Sequence, residues 1–179
     1  LTDKQVSGGV GILKDQMACA FKGFAHRLNV KSFDAPHLGL NRAEQGDVVH
    51  KVLESIYRQV QSSADLITYS EDKLNQLIDA AIQNELKRYG RSGFTRIEHD
   101  RLQQLIHKFI ATEKQRDAFR VIATEQTIVA NVAGLHFSTR LDRVDEMDNG
   151  ERIIFDYKTG KWAIAALLLD FHTKGCLVI

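Results

Sequence analysis

The sequence predicts an α/β or α+β fold in which helices pack around a small mixed β-sheet. In the first two thirds of the chain, apolar residues recur at three- and four-residue steps, which is the period of an amphipathic helix. Beyond Phe119 the apolar blocks become short and rich in β-branched residues, which is typical of strands. We therefore expect a helical N-terminal half followed by a β-meander.

The size and charge of the chain limit its domain number and its binding partners. With 179 residues, of which 44% are hydrophobic, the chain can bury one core of ordinary size, and we expect a single domain. The formal net charge of +1 excludes the global basic field of a histone-like or ribosomal protein. Any contact with nucleic acid must therefore be local.

Cysteine usage and hydropathy bear on the cellular compartment. The two cysteines, Cys19 and Cys176, are too few and too far apart for a disulfide framework or a self-contained zinc site. No cationic and apolar leader opens the sequence, so we expect a cytoplasmic protein. The longest apolar run, Ala163 to Leu169, is far shorter than the roughly 20 residues that span a bilayer, and no membrane role is expected.

Four segments have the apolar stripe of a packed helix. The glycine-rich start at 7–11 lacks the Gly-Lys-Ser/Thr context of a P-loop and is interpreted as a lead-in. The predicted helices are Ile12 to Val30, Arg42 to Gln61, Glu71 to Tyr89 and about Glu98 to Arg116. Ser70 favours the start of the third helix as its N-cap, and Gly90 favours its end.

Three strands follow the helices. Their predicted bounds are Phe119 to Val129, Leu135 to Glu146 and Arg152 to Lys158. Asp148-Asn149-Gly150 predicts a tight hairpin between the last two, because Asn and Gly tolerate the positive φ angles of such turns. The segment from Ala163 to Phe171 is compatible with a buried helix but has no capping residues.

Acidic and basic side chains of the last two strands form a candidate site. Asp156 and Lys158 lie two apart, so a pleated strand directs both side chains to one face, and the hairpin brings Asp142 beside Asp156. Paired carboxylates favour a divalent cation such as Mg²⁺ or Mn²⁺, while Lys158 orients a water nucleophile or neutralises developing charge. The alternative is an exposed ion pair worth about 0–1 kcal/mol.

Four ordered motifs add specificity to this interpretation. They are Cys19-Ala20-Phe21, Gly46-x-x-x-His50-x-x-Leu53-Glu54, Arg140-Leu141-Asp142-Arg143-Val144-Asp145 and Ile153-Ile154-Phe155-Asp156-Tyr157-Lys158-Thr159-Gly160. From about Gly8 to Lys161 the chain resembles the RecB/AddB-like branch of the PD-(D/E)XK nuclease superfamily. The resemblance implies a restriction-endonuclease-like core and hydrolysis of nucleic acid.

The resemblance also implies a role for each residue of the site. The residues that match Asp142 and Asp156 bind metal, and the one that matches Lys158 is catalytic. The match to His50 implies a further metal ligand donated from a helix, and Glu125 occupies the position of an acidic residue that supports the site from the first strand. From the residues alone, His50 is better explained as a histidine at the edge of the core, and an exposed strand glutamate is the alternative for Glu125.

These observations together predict a metal-dependent nuclease that hydrolyses DNA phosphodiester bonds in repair or recombination. DNA is the expected partner, and the resemblance suggests a helicase or another recombination-repair subunit as a second. Related proteins with an iron–sulfur cluster use four cysteines, so no cluster is expected from Cys19 and Cys176. Exonucleolytic and endonucleolytic action, strand preference and oligomeric state stay open.

The chain also departs from the family pattern. The proline of the family's Cys-Pro-Phe motif is replaced by Ala20, and no Gln-x-x-x-Tyr motif follows between Lys161 and Ile179. We therefore expect a domain that is incomplete after about residue 161. This expectation supports an alternative function, a non-catalytic DNA-binding or scaffolding module, and a hydrolase of another phosphoester is a third.

A basic cluster lies apart from the acidic site. It comprises Lys87, Arg88, Arg91 and Arg96, with Gly90 and Gly93 between them. These side chains are suited to contact phosphates, and they are equally consistent with an ordinary solvated loop.

Overall fold

The computed structural model describes residues 4–6, 11–30, 38–90, 92–132 and 135–158. Several sequence-based expectations lie outside these residues: the glycine lead-in at 7–10, Arg91, and the segment 159–179 with Cys176.

After the short strand β1, which the sequence analysis does not predict, the described elements run from helices to strands, as the change of hydrophobic period predicts. The helices are α1 (Gly11–Ala18), α2 (Ala20–Arg27), α3 (Arg42–Tyr57), α4 (Ser63–Thr68), α5 (Glu71–Leu86) and α6 (Gly93–Glu113), with a 3₁₀ turn at Lys87–Tyr89. The strands are β1 (Lys4–Val6), β2 (Phe119–Val132), β3 (Leu135–Met147) and β4 (Arg152–Phe155). Among the described helices, none combines the length and the apolar character needed to cross a membrane.

The sheet is small and mixed, which confirms the predicted α/β class. Strands β2, β3 and β4 are antiparallel, and β1 runs parallel to the start of β3. The chain forms two compact units: one contains Leu1–Pro36 and Gln126–Leu141, and the other contains His37–Glu125 and Asp142–Ile179. The expectation of a single domain stays a prediction.

In the first unit, the predicted single helix from Ile12 to Val30 is wrong. Cys19 has an extended backbone, with φ −169° and ψ 123°, and it separates α1 from α2. The stripe that suggested one long helix is largely exposed, since Met17 and Phe21 keep 89% and 73% of their surface accessible. Hydrophobic spacing alone could not reveal the break, because it is a backbone change at one residue.

The helices of the second unit confirm their predicted apolar stripes. Val49, Val52 and Ile56 of α3 are fully buried, and they pack in one core with residues of α5 and α6. Ser70 caps α5 as predicted, accepting a hydrogen bond from the Lys73 backbone N–H. Helix α6 begins at Gly93, five residues before the predicted start, because Ser92 forms a capping box with Thr95.

The predicted hairpin between β3 and β4 is confirmed. Gly150 has φ +81° and its N–H donates to the Met147 carbonyl, which closes the turn. The strand register pairs Val144 with Ile154 and Arg143 with Phe155. Strand β4 ends at Phe155 rather than Lys158, so the predicted strand is three residues too long.

A buried ion network lies beneath this hairpin. Arg143 is 1% exposed, and its Nη2 donates to Glu113 Oε2 at 2.6 Å and to Asp145 Oδ2 at 3.0 Å. Arg116 contacts the same two carboxylates at 2.9–3.0 Å. The Arg143 guanidinium also stacks 4.0 Å from the centre of the Tyr57 ring. Each charge has an opposite partner, which offsets the cost of burying it.

We expect the Arg143→Met substitution to destabilise the fold by about 3–5 kcal/mol, because Glu113 and Asp145 then keep buried charges with too few partners. The free energy of unfolding, measured by urea denaturation, tests this. Arg152→Met at an exposed position of β4 is the control and should change stability by less than about 0.5 kcal/mol. Equal effects of the two substitutions would contradict a stabilising network.

Candidate active site

Three predicted site residues from three different elements converge in the second unit. His50 of α3, Glu125 of β2 and Asp142 of β3 each offer one ligand atom, and these atoms lie within 4.8 Å of one another. Asp142 is buried, and His50 and Glu125 are partly buried. The sequence separates these residues widely, so only the fold brings them together.

The main chain of Tyr157 fixes two members of this cluster. Its N–H donates to Asp142 Oδ2 at 2.6 Å, and its carbonyl accepts from His50 Nε2 at 2.6 Å. The remaining atoms of these side chains, His50 Nδ1 and Asp142 Oδ1, lie 3.2 Å apart. Tyr157, which lies two residues after the end of β4, therefore orients both side chains, and their remaining ligand atoms face each other.

The Tyr157 side chain holds this main-chain position. It is 3% exposed, and its ring packs edge-to-face against both His50 and Phe109 with centroid separations of 5.8 Å. Because the ring is anchored in the core, the peptide groups on either side of it have little freedom.

The environment of His50 stabilises positive charge. Burial by itself lowers the pKa of His50, but the hydrogen bond and charge of Asp142, the Tyr157 carbonyl and the charge of Glu125 raise it above its ordinary value. Both ring nitrogens face acceptors, which is the preferred setting of an imidazolium. The same group of acceptors is suited to a divalent cation.

Glu125 reaches the cluster through an unusual backbone conformation. Its φ is +51°, in the left-handed region that side chains with a Cβ rarely adopt, although it lies within β2. Such an interruption of a strand redirects the side chain, and interruptions of this kind concentrate near functional sites. The sequence contains no signal for it, because Glu is not a residue that favours positive φ.

Asp156 and Lys158 form a pair of their own. Lys158 Nζ lies 2.5 Å from Asp156 Oδ1, and both side chains are substantially exposed. The predicted alternation is confirmed, since Tyr157 between them is buried. Extending the β3–β4 register places Asp156 opposite Asp142, but among the described residues the three-membered ligand group does not include Asp156.

The donor set fits a divalent metal ion. One imidazole and two carboxylates suit Mn²⁺, and carboxylates also suit Mg²⁺. Histidines that bind metal usually donate their second ring N–H to a carbonyl or carboxylate, as His50 does to Tyr157. His50, Glu125 and Asp142 are therefore the residues of this chain that would hold the ion, with His50 presenting Nδ1.

Sequence reasoning missed the contribution of Tyr157, which acts through its main chain. Its position as the middle residue of Asp156-Tyr157-Lys158 was the only available signal, because alternation predicts that its side chain points into the core.

Comparison with known proteins identifies the family of the chain. The chain matches the sequence model of the PD-(D/E)XK nuclease superfamily over residues 10–170, and it belongs to that superfamily. No curated protein and no solved structure matches the chain.

We expect Glu125→Gly to be more stable than Glu125→Ala by about 1 kcal/mol, because glycine adopts positive φ without steric cost. At an ordinary strand position the alanine variant is more stable than the glycine variant. Thermal or urea unfolding of both variants tests this, with the same two substitutions at the adjacent Gln126 as a control that should show the ordinary order. If alanine is the more stable residue at both positions, the left-handed conformation of Glu125 is refuted.

Proposed function

We propose that this protein is a metal-dependent nuclease that hydrolyses phosphodiester bonds of DNA in repair or recombination. The observation that carries the proposal is the convergence of His50, Glu125 and Asp142 in a chain of the PD-(D/E)XK nuclease superfamily. Buried carboxylates that share a site repel one another, and such an arrangement is stabilised when a cation lies between them.

Mg²⁺ or Mn²⁺ bound here would polarise a phosphoryl oxygen of the substrate and lower the pKa of a water molecule. Asp142 is suited to be the central ligand, because it is buried and because the Tyr157 N–H fixes its orientation. His50 and Glu125 hold the other sides of the site.

We assign different roles to the two members of the exposed pair. Asp156, whose Oδ1 contacts Lys158, would be the further metal ligand. The Lys158 ammonium would then orient the attacking water or neutralise charge that develops on the phosphate. In this interpretation, the ion pair is a resting arrangement that substrate and metal replace.

The proposal extends to the branch of the superfamily, the cellular location and the partner protein. The four sequence motifs support a place in the RecB/AddB-like branch and association with a helicase or another recombination-repair subunit. The cysteine usage supports a cytoplasmic location. Copurification of such a subunit with the full-length protein would test the last point.

We expect the purified protein to cleave labelled DNA in the presence of Mg²⁺ or Mn²⁺. Cleavage should stop when a chelator removes the metal. Asp142→Asn should reduce the cleavage rate by at least about 100-fold, because it removes a charged ligand and keeps the side-chain shape. Asp117→Asn, at an exposed position outside the site, is the matched control and should cleave normally. Single-stranded and duplex substrates are compared in a gel assay.

The alternative outcomes of this assay are informative. DNA binding without cleavage in either metal would favour the non-catalytic module and contradict the nuclease. Cleavage that persists unchanged in Asp142→Asn would show that a contaminating enzyme or a different site is responsible.

We expect Asp156→Ala and Lys158→Ala to abolish cleavage for different reasons. Asp156→Ala should weaken Mn²⁺ binding by about 10-fold or more, whereas Lys158→Ala should bind Mn²⁺ at least as tightly as the natural chain, because it frees the carboxylate. Isothermal titration with Mn²⁺ in the absence of DNA measures both. Unchanged Mn²⁺ affinity in Asp156→Ala would remove that residue from the ligand set.

A further inference from the structure

We propose that a basic groove between α5 and α6 binds the phosphate backbone of DNA. The groove has a volume of about 570 Å³ and lies where α5 ends, the 3₁₀ turn follows and α6 begins. Lys87, Arg96 and His99 line it, together with the hydroxyl-bearing Ser92 and Thr95. This inference rests on the proposed nuclease function for its choice of DNA as the ligand.

The charge of the groove is not neutralised within the described part of the chain. Lys87 and Arg96 are exposed, and neither forms an ion pair with any residue that the structure describes. Arg88 differs, because its Nη2 donates to Asp47 at 2.8 Å. Lys87 and Arg96 therefore supply unpaired cations, and a phosphate backbone carries the complementary charge.

Two acidic residues contact His99 at this groove. Asp79 accepts hydrogen bonds from His99, Gln103 and Gln83 at 2.9, 3.1 and 2.6 Å. Asp100 Oδ1 lies 3.5 Å from His99 Nδ1. Both carboxylates pair with His99, and neither forms an ion pair with Lys87 or Arg96.

Gly93, at the start of α6, leaves open space beside the groove. A Cβ at this position would meet no atom within 4 Å, and Gly93 is not among the described glycines with positive φ. Neither packing nor backbone conformation within the chain therefore requires glycine. The surface beside Gly93 is therefore open to a ligand.

The groove is tied to the helix that carries the candidate site. Arg88 of the 3₁₀ turn contacts Asp47, which precedes His50 on α3 by three residues, or about one helical turn. The loop that bears Lys87 is thereby held against the N-terminal half of α3. The groove contains none of the candidate metal ligands, so it would position substrate rather than react with it.

Fluorescence anisotropy with labelled DNA, over a series of salt concentrations and with a chelator to prevent cleavage, tests the proposal. Lys87→Ala/Arg96→Ala should weaken binding by about 5- to 20-fold and reduce the slope of log affinity against log salt by about 1.4–1.8. Lys108→Ala/Arg152→Ala removes the same charge from exposed positions outside the groove and is the matched control. Circular dichroism verifies that both variants are folded.

The outcomes separate this proposal from the nuclease proposal. If both double variants bind DNA with the same affinity and salt slope, the groove is excluded, while cleavage by the natural chain would leave the nuclease intact. If the groove variant alone loses affinity and salt dependence but the natural chain never cleaves, the surface is supported and the nuclease is refuted. Equal loss in both double variants would show unspecific attraction and overturn the groove.

Discussion

The hydrogen bonds of the Tyr157 main chain are the constraint on which the site depends. Its N–H and carbonyl orient Asp142 and His50, which belong to a strand and a helix that are far apart in the sequence. Backbone groups cannot change rotamer, and the buried Tyr157 ring limits their movement. The two candidate ligands are therefore positioned by the core of the second unit, and little of their geometry is left to surface residues.

The strand that carries Asp142 couples this site to the buried charge network. Asp142 is a member of the candidate ligand cluster, and its neighbour Arg143 forms ion pairs with Glu113 and Asp145 inside the core. Consecutive residues of one strand thus belong to the candidate site and to the buried network. Because the network fixes the position and register of β3, it also limits where the Asp142 carboxylate can lie.

The secondary structure was predictable where the signal is local. Helical stripes on α3, α5 and α6 and the Asn149-Gly150 turn depend on residues a few positions apart, and the structure confirms them. The errors are also local in origin: the extended backbone at Cys19 divides one predicted helix, and β4 ends three residues early. The spacing of hydrophobic residues does not predict the backbone angles at these positions.

The sequence by itself determined the superfamily motifs, the hairpin and the residue types of the candidate site, because motif order and period are properties of the chain. Only the tertiary structure decided that His50, Glu125 and Asp142 meet while Asp156 pairs with Lys158. The contact between His50 and Tyr157 spans 107 positions, and the positive φ of Glu125 is set by its surroundings. Interactions of this range depend on how packed elements meet, which no short segment encodes.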